Sequence, residues 1–138
     1  MRLFSKFIPL VVLLLSFPNF GIGQASLEDL LFELQMKVRQ AGAACSDAKC
    51  YRDVITKYGC SSTIERIKDA PDAAFEMAME ADRLHVSEFK ENKDLIFIKN
   101  LKVTGSSAEL VLGHRKTEGW TQTAYFCSEN GIWKAGKP

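Results

Sequence analysis

Beyond residue 25 the chain lacks a long apolar run, so no membrane-spanning helix of about 20 apolar residues is expected there. It lacks an excess of either charge: 18 basic residues stand against 17 acidic ones, and without Arg2 and Lys6 the basic count drops to 16. A nucleic-acid binder concentrates positive charge in a patch or stripe, and neither appears. Histidine is scarce, with two residues. No glycine-rich phosphate loop, nucleophile elbow or His-Glu-x-x-His pattern occurs, which removes the common sequence signatures of phosphoryl transfer, serine hydrolysis and zinc proteolysis. No internal repeat, low-complexity segment or linker is present. No cofactor is expected from such a sequence.

What is present begins with residues 1–25. Arg2 and Lys6 precede an apolar stretch from Phe7 to Phe17, interrupted by Pro9 and closed by Pro18 and Gly21. The stretch is too short for a membrane span and suits a cleaved secretory signal, with Gly23 and Ala25 as the small residues before the cut. Cleavage after Gly23 is the alternative. No cysteine follows the apolar run until Cys45, so a lipid anchor at the processing site is not expected. The reading is an exported product, periplasmic or secreted and soluble, without a stable membrane anchor. Residues 26–138 then form one α+β domain.

Export changes the expected chemistry of the four cysteines, which in a small exported chain most simply form two disulfides. A helix from Asp47 to Tyr58 would separate Cys50 from Cys60 by about 15 Å, beyond the Cα limit of about 7 Å for a bridge. The preferred pairing is Cys45–Cys50 around the helix start and Cys60–Cys127 across the domain. A four-thiolate zinc site needs two short paired spacings and the chain supplies one, so no metal is expected.

Ser26 followed by Asp29 marks a helix start, and Leu27, Leu30, Leu31, Leu34, Val38 and Ala41 recur at helical spacing as a core face up to a stop at Gly42. Asp47 caps a second helix carrying Tyr51, Val54, Ile55 and Tyr58, ended by Gly59. A short helical turn covers Thr63 to Lys68. Pro71 opens a further helix in which Phe75, Ala78, Met79 and Asp82 share a face. Asp82 interrupts that apolar stripe and is the carboxylate of most interest. Its simplest reading is a position near the helix end, reaching solvent or a cation such as Arg66 or His85.

After Asn92 the pattern alternates and turns β-branched and aromatic. Ile96 and Ile98 share one phase, Leu101 and Val103 the other, so a bulge near Lys99-Asn100 is expected. A turn at Gly105-Ser106-Ser107 leads to a strand from Ala108 to about Lys116. Glu118-Gly119 turns into another from Trp120 to Glu129, and Asn130-Gly131 is a strong type I′ hairpin signal. Pairing Glu129 with Ile132 puts Ala124, Phe126, Trp133 and Ala135 on one face, the better core, and Thr123, Tyr125, Cys127, Ile132 and Lys134 on the other. A Cys60–Cys127 bridge pulls against this assignment, because Cys127 would have to meet the helical layer. Sheet curvature or an edge position for Cys127 would reconcile them.

The order of helices followed by an antiparallel meander defines an α+β class. The stretches Ile98-Lys99-Asn100-Leu101-Lys102-Val103, Ala108-Glu109-Leu110-Val111-Leu112 and Phe126-Cys127-Ser128-Glu129-Asn130-Gly131-Ile132-Trp133-Lys134 resemble the end of the nuclear transport factor 2-like (cystatin-like) superfamily. The cysteines, and Ala135 where a larger aliphatic residue is expected, depart from that pattern. The resemblance implies N-terminal helices on a curved, cone-like antiparallel sheet, often enclosing a pocket for ligand binding, protein association or catalysis. The fold does not choose among these uses.

An isomerase- or cyclase-like member would need a carboxylate or histidine as base and a donor for the developing oxyanion. The candidates are Asp82, His85, His114 and Tyr125. Trp120, Tyr125 and Trp133 are candidate ligand-contacting aromatics. Without a catalytic motif, the leading expectation is an exported, disulfide-stabilised binding or interaction domain that does no chemistry. Its partner would be a small apolar ligand in a hydrophobic pocket, or a protein. A homodimer through the open sheet face also suits the architecture. The alternative is an enzyme using Asp82 or a histidine in the pocket.

Overall fold

The computed structural model describes residues 26–138; the expected signal segment lies outside the described residues. Four helices precede a four-stranded antiparallel sheet that is not closed: α1 Leu27–Ala43, α2 Ala48–Tyr58, α3 Ser61–Ile67, α4 Asp72–Asn92, β1 Ile96–Thr104, β2 Ser107–His114, β3 Thr121–Glu129 and β4 Ile132–Ala135. Strand order follows chain order, as short turns between neighbours dictate. No helix among the described residues is long and apolar enough to cross a membrane.

Capping chemistry sets the helix starts. The Ser26 hydroxyl accepts from the Asp29 amide at 3.2 Å, and the Asp47 carboxylate accepts from the Cys50 amide at 2.8 Å, each satisfying an otherwise orphaned donor. Helix ends differ from expectation. Gly42 does not stop α1 but lies inside it, buried at a helix crossing where a side chain would not fit. The fourth helix does not end near Asp82; it continues to Asn92, with Phe89 meeting Phe32 of α1 and lining a slot with Ile96 and Leu112 of the sheet. The core face of α1 is also turned from the expected stripe, with Leu31 fully buried and Leu30 half exposed.

Two apolar clusters hold the layers. Leu31 packs with Ala108, Leu110, Leu112, Ala124 and Phe126 between α1 and the sheet. Cys45, Ala48, Tyr51, Phe75 and Met79 form the second cluster among the helices. The β1–β2 register slips between Ile98 and Asn100, leaving Lys99 as the bulged residue where the two hydrophobic phases meet. Asn130 and Gly131 both take positive φ, 54° and 77°, and pair Glu129 with Ile132.

Both disulfides join the preferred partners, Cys45–Cys50 and Cys60–Cys127. The conflict over Cys127 is resolved on the sheet's outer face. Cys127 is not at an edge, since β3 lies between β2 and β4. Gly59 and Cys60 instead run beside β4, with the Cys60 amide donating to the Ala135 carbonyl at 2.9 Å. The start of α3 then closes over the face that Cys127 shares with Glu129, where the Ser61 amide and hydroxyl donate to the Glu129 carboxylate at 2.6 and 2.7 Å. Phe126 and Cys127 are thus buried on opposite faces by different helices.

Candidate functional site

Asp82 follows Phe75 and Met79 at helical spacing, and all three are buried, with Asp82 only 1% exposed. Burying a carboxylate is costly unless it is paired and hydrogen-bonded. Both of its oxygens are engaged: Arg39 Nη1 from α1 meets Oδ1 at 2.5 Å, and the Tyr51 hydroxyl from α2 donates to Oδ2 at 2.9 Å. The expectation of an exposed Asp82 near a helix end, facing Arg66 or His85, is therefore overturned. The carboxylate lies mid-helix and ties three helices together.

Gly42 makes the approach possible. A Cβ there would overlap Asp82 Oδ2 and come within 2.7 Å of Tyr51 Cε2. The Tyr51 hydroxyl is held well above its ordinary pKa, first by burial and then by the charge and hydrogen bond of Asp82, with Arg39 partly offsetting. It therefore stays a protonated donor. No buried side-chain N or O among the described residues lacks a partner.

This network borders a cleft of about 180 Å³ between the helices and β4, lined also by Gln35, Val38, Ile55, Tyr58, Thr63 and Ala135. Arg39 and Gln35 also border a slot under α1 and α4, closed by Met36, Phe89, Ile96, Leu112 and Trp120. That slot holds about 20 Å³, room for a single water. It is too small to admit anything larger than water. A third hollow, an open groove of about 540 Å³ at the end of β1 and β2, is lined by Phe97, Lys99, His114, Arg115 and Trp120.

The four residues named as catalytic candidates do not converge. Asp82 borders the cleft, whereas His85 faces the slot and donates Nδ1–H to the Ala81 carbonyl at 2.7 Å, one turn back in its own helix. His114 Nδ1 accepts from the Lys116 and Thr117 amides at 3.3 and 3.1 Å, so its ring organises the β2–β3 loop and meets Trp120 edge-on. Tyr125 lies on the outer sheet face under the Lys137 ammonium, 4.4 Å from the ring centre. Of the aromatic candidates, Trp120 lines both slot and groove, while Trp133 packs against the sheet core and, like Tyr125, lines none of the three hollows. With both oxygens engaged and almost no exposed surface, Asp82 is poorly placed to take a proton from a bound molecule.

Cys60, Cys127 and Glu129 bring possible metal-ligating atoms within 4.8 Å of one another. Joined as a disulfide, the sulfurs supply no thiolate, and the Glu129 carboxylate is occupied by Ser61 and Lys134. Those bonds, led by the Ser61 amide and hydroxyl, hold its carboxyl below the usual range.

From the sequence, Arg39 and Gln35 were not singled out, Tyr51 and Tyr58 were placed on the apolar face of the second helix, and Gly42 was read as a helix stop. A signal existed in α1, where Gln35, Arg39 and Gly42 follow the buried Leu31 at helical spacing. It was indistinct, because a solvated helix face carries the same residue types. No protein-family model matches this chain, and no curated protein or solved structure matches it.

Proposed function

We propose that the protein is a small exported, disulfide-stabilised binding domain that does no chemistry of its own, built like the nuclear transport factor 2-like proteins its sheet sequence resembles. Its ligand site is the cleft bordered by Arg39, Tyr51, Tyr58 and Thr63. The observation that carries this reading is the buried Asp82, whose two bonds fix Arg39 and Tyr51 at the edge of an open, partly polar cleft. Export is supported by the charged and apolar pattern of residues 1–25 together with two closed disulfides, which fit an oxidising compartment.

Two measurements test this. Amino-terminal sequencing of the purified product should begin at Ser26, and retention of Met1 with its apolar segment would refute cleavage. Amide spectra of the oxidised protein, recorded with a mixture of small acids, amides and alcohols, should shift at Gln35, Arg39, Tyr58 and Thr63. Perturbations confined to other surfaces would refute the cleft as the site. Turnover of any compound that vanishes in a folded Asp82→Ala variant would establish the enzymatic alternative instead.

A further inference from the structure

We infer that the ligand of this cleft is a small monocarboxylate, gripped by the free edge of the Arg39 guanidinium with its apolar body against Val38, Ile55 and Ala135. The inference rests on the cleft being the binding site. Arg39 carries five N–H donors in a planar fork. Only Nη1 is used, on Asp82, and no other bond from Arg39 occurs among the described residues. Because no buried polar side-chain atom among the described residues lacks a partner, the remaining Nε and Nη2 donors meet solvent, consistent with a side chain 29% exposed. That edge has the geometry for two parallel bonds to a carboxylate.

Two other polar side chains bordering the cleft can donate to an anion. Among the described residues the Gln35 amide and Tyr58 hydroxyl make no internal hydrogen bond, and both can donate. Among the described residues, the only carboxylate side chain lining the cleft is Asp82, already engaged twice. A cationic ligand would find no free carboxylate, whereas an anion finds open donors. The cleft offers one free guanidinium edge, which suits a single carboxylate group rather than two. Size limits the body: a cavity of about 150 Å³ accepts benzene, and the cleft offers about 180 Å³.

The test titrates the oxidised protein with sodium benzoate, with benzamide as its neutral isostere, and with inorganic phosphate, following backbone amide shifts. Benzoate should move Gln35, Arg39, Tyr58 and Thr63, and benzamide should bind at least tenfold more weakly. Arg39→Lys keeps the charge but loses the fork, and should weaken benzoate about tenfold while leaving benzamide unchanged. Gln35→Leu, which leaves the Arg39–Asp82 pair intact, should also weaken benzoate and serves if Arg39→Lys does not fold. Equal binding of benzamide, or tighter binding of phosphate, would overturn the monocarboxylate while leaving the cleft as the site. No shift in the cleft with any of the three would overturn both.

Discussion

Replacing Gly42 with alanine isolates the packing at the centre of this fold, because two opposing effects predict opposite signs. Gly42 lies in the last turn of α1, and in a helix an alanine is worth up to about 1 kcal/mol over glycine. Against this, the new Cβ would overlap Asp82 Oδ2 and crowd Tyr51 Cε2 at 2.7 Å. The neighbours are a buried carboxylate and a buried ring, not the free end of a flexible side chain. Forcing extra volume into a packed site costs about 1–3 kcal/mol. Weakening a hydrogen bond to a buried charge costs about 1.5–3 kcal/mol more. The overlap therefore wins, with a net loss of about 1.5–5 kcal/mol and, at about 4 °C per kcal/mol, a fall in Tm of roughly 6–20 °C. Urea and thermal unfolding followed by circular dichroism measure both. A Gly42→Ala protein as stable as the parent, or more so, would refute the close approach of Asp82 and Tyr51 to α1.

Three further outcomes follow from the same structure. Cys60 and Cys127 are 67 residues apart and Cys45 and Cys50 are 5 apart, so in urea unfolding the double alanine replacement of the first pair should cost about 4 kcal/mol and that of the second about 2; equal losses would contradict the loop-length account. Tyr51 is protonated in the fold to higher pH than in the unfolded chain, so its contribution is complete below about pH 10 and is lost as pH rises beyond it, since the unfolded chain ionises first. Tyr51→Phe should lose about 1–3 kcal/mol at neutral pH by leaving Oδ2 with one partner fewer, and its stability should fall less steeply than the parent's between pH 10 and 11 (a range set by tyrosine's ordinary value of about 10). Parallel slopes would count against the Tyr51–Asp82 bond. Glu129 has the reverse sign: its depressed pKa contributes stability above the ordinary value of about 4.3, lost as pH falls through the folded value, so thermal unfolding of Glu129→Gln should show a shallower acid dependence than the parent.

Local chemistry explains which parts were legible in the chain. Ser26 and Asp47 cap their helices through side chains that reach three residues along the backbone, a relation contained in the sequence itself. The Asn130-Gly131 turn and the Lys99 bulge are equally local, since one needs two residues of positive φ and the other reconciles two alternating phases. Cysteine pairing was legible because a helix has a fixed rise. The candidate site was legible only as one odd residue, Asp82, and its environment was misjudged. A carboxylate in an apolar stripe looks the same in sequence whether it ends a helix in water or lies buried under an arginine.

By itself the sequence determined the element order, the α+β class, the turn positions and the hairpin register, and it favoured the disulfide partners, since each depends on interactions between near neighbours or on the fixed rise of a helix. Only the tertiary structure decided that Asp82 is buried, that Arg39 and Tyr51 come to it from two other helices, and that Gly42 leaves room for it. It also decided that α3 covers the outer sheet face at Cys127, and that the open cleft lies beside the ion pair while the apolar slot is nearly filled. Those outcomes depend on how helices cross and how side chains fill space, and contacts between residues 31 or 43 positions apart leave no periodic trace in the chain.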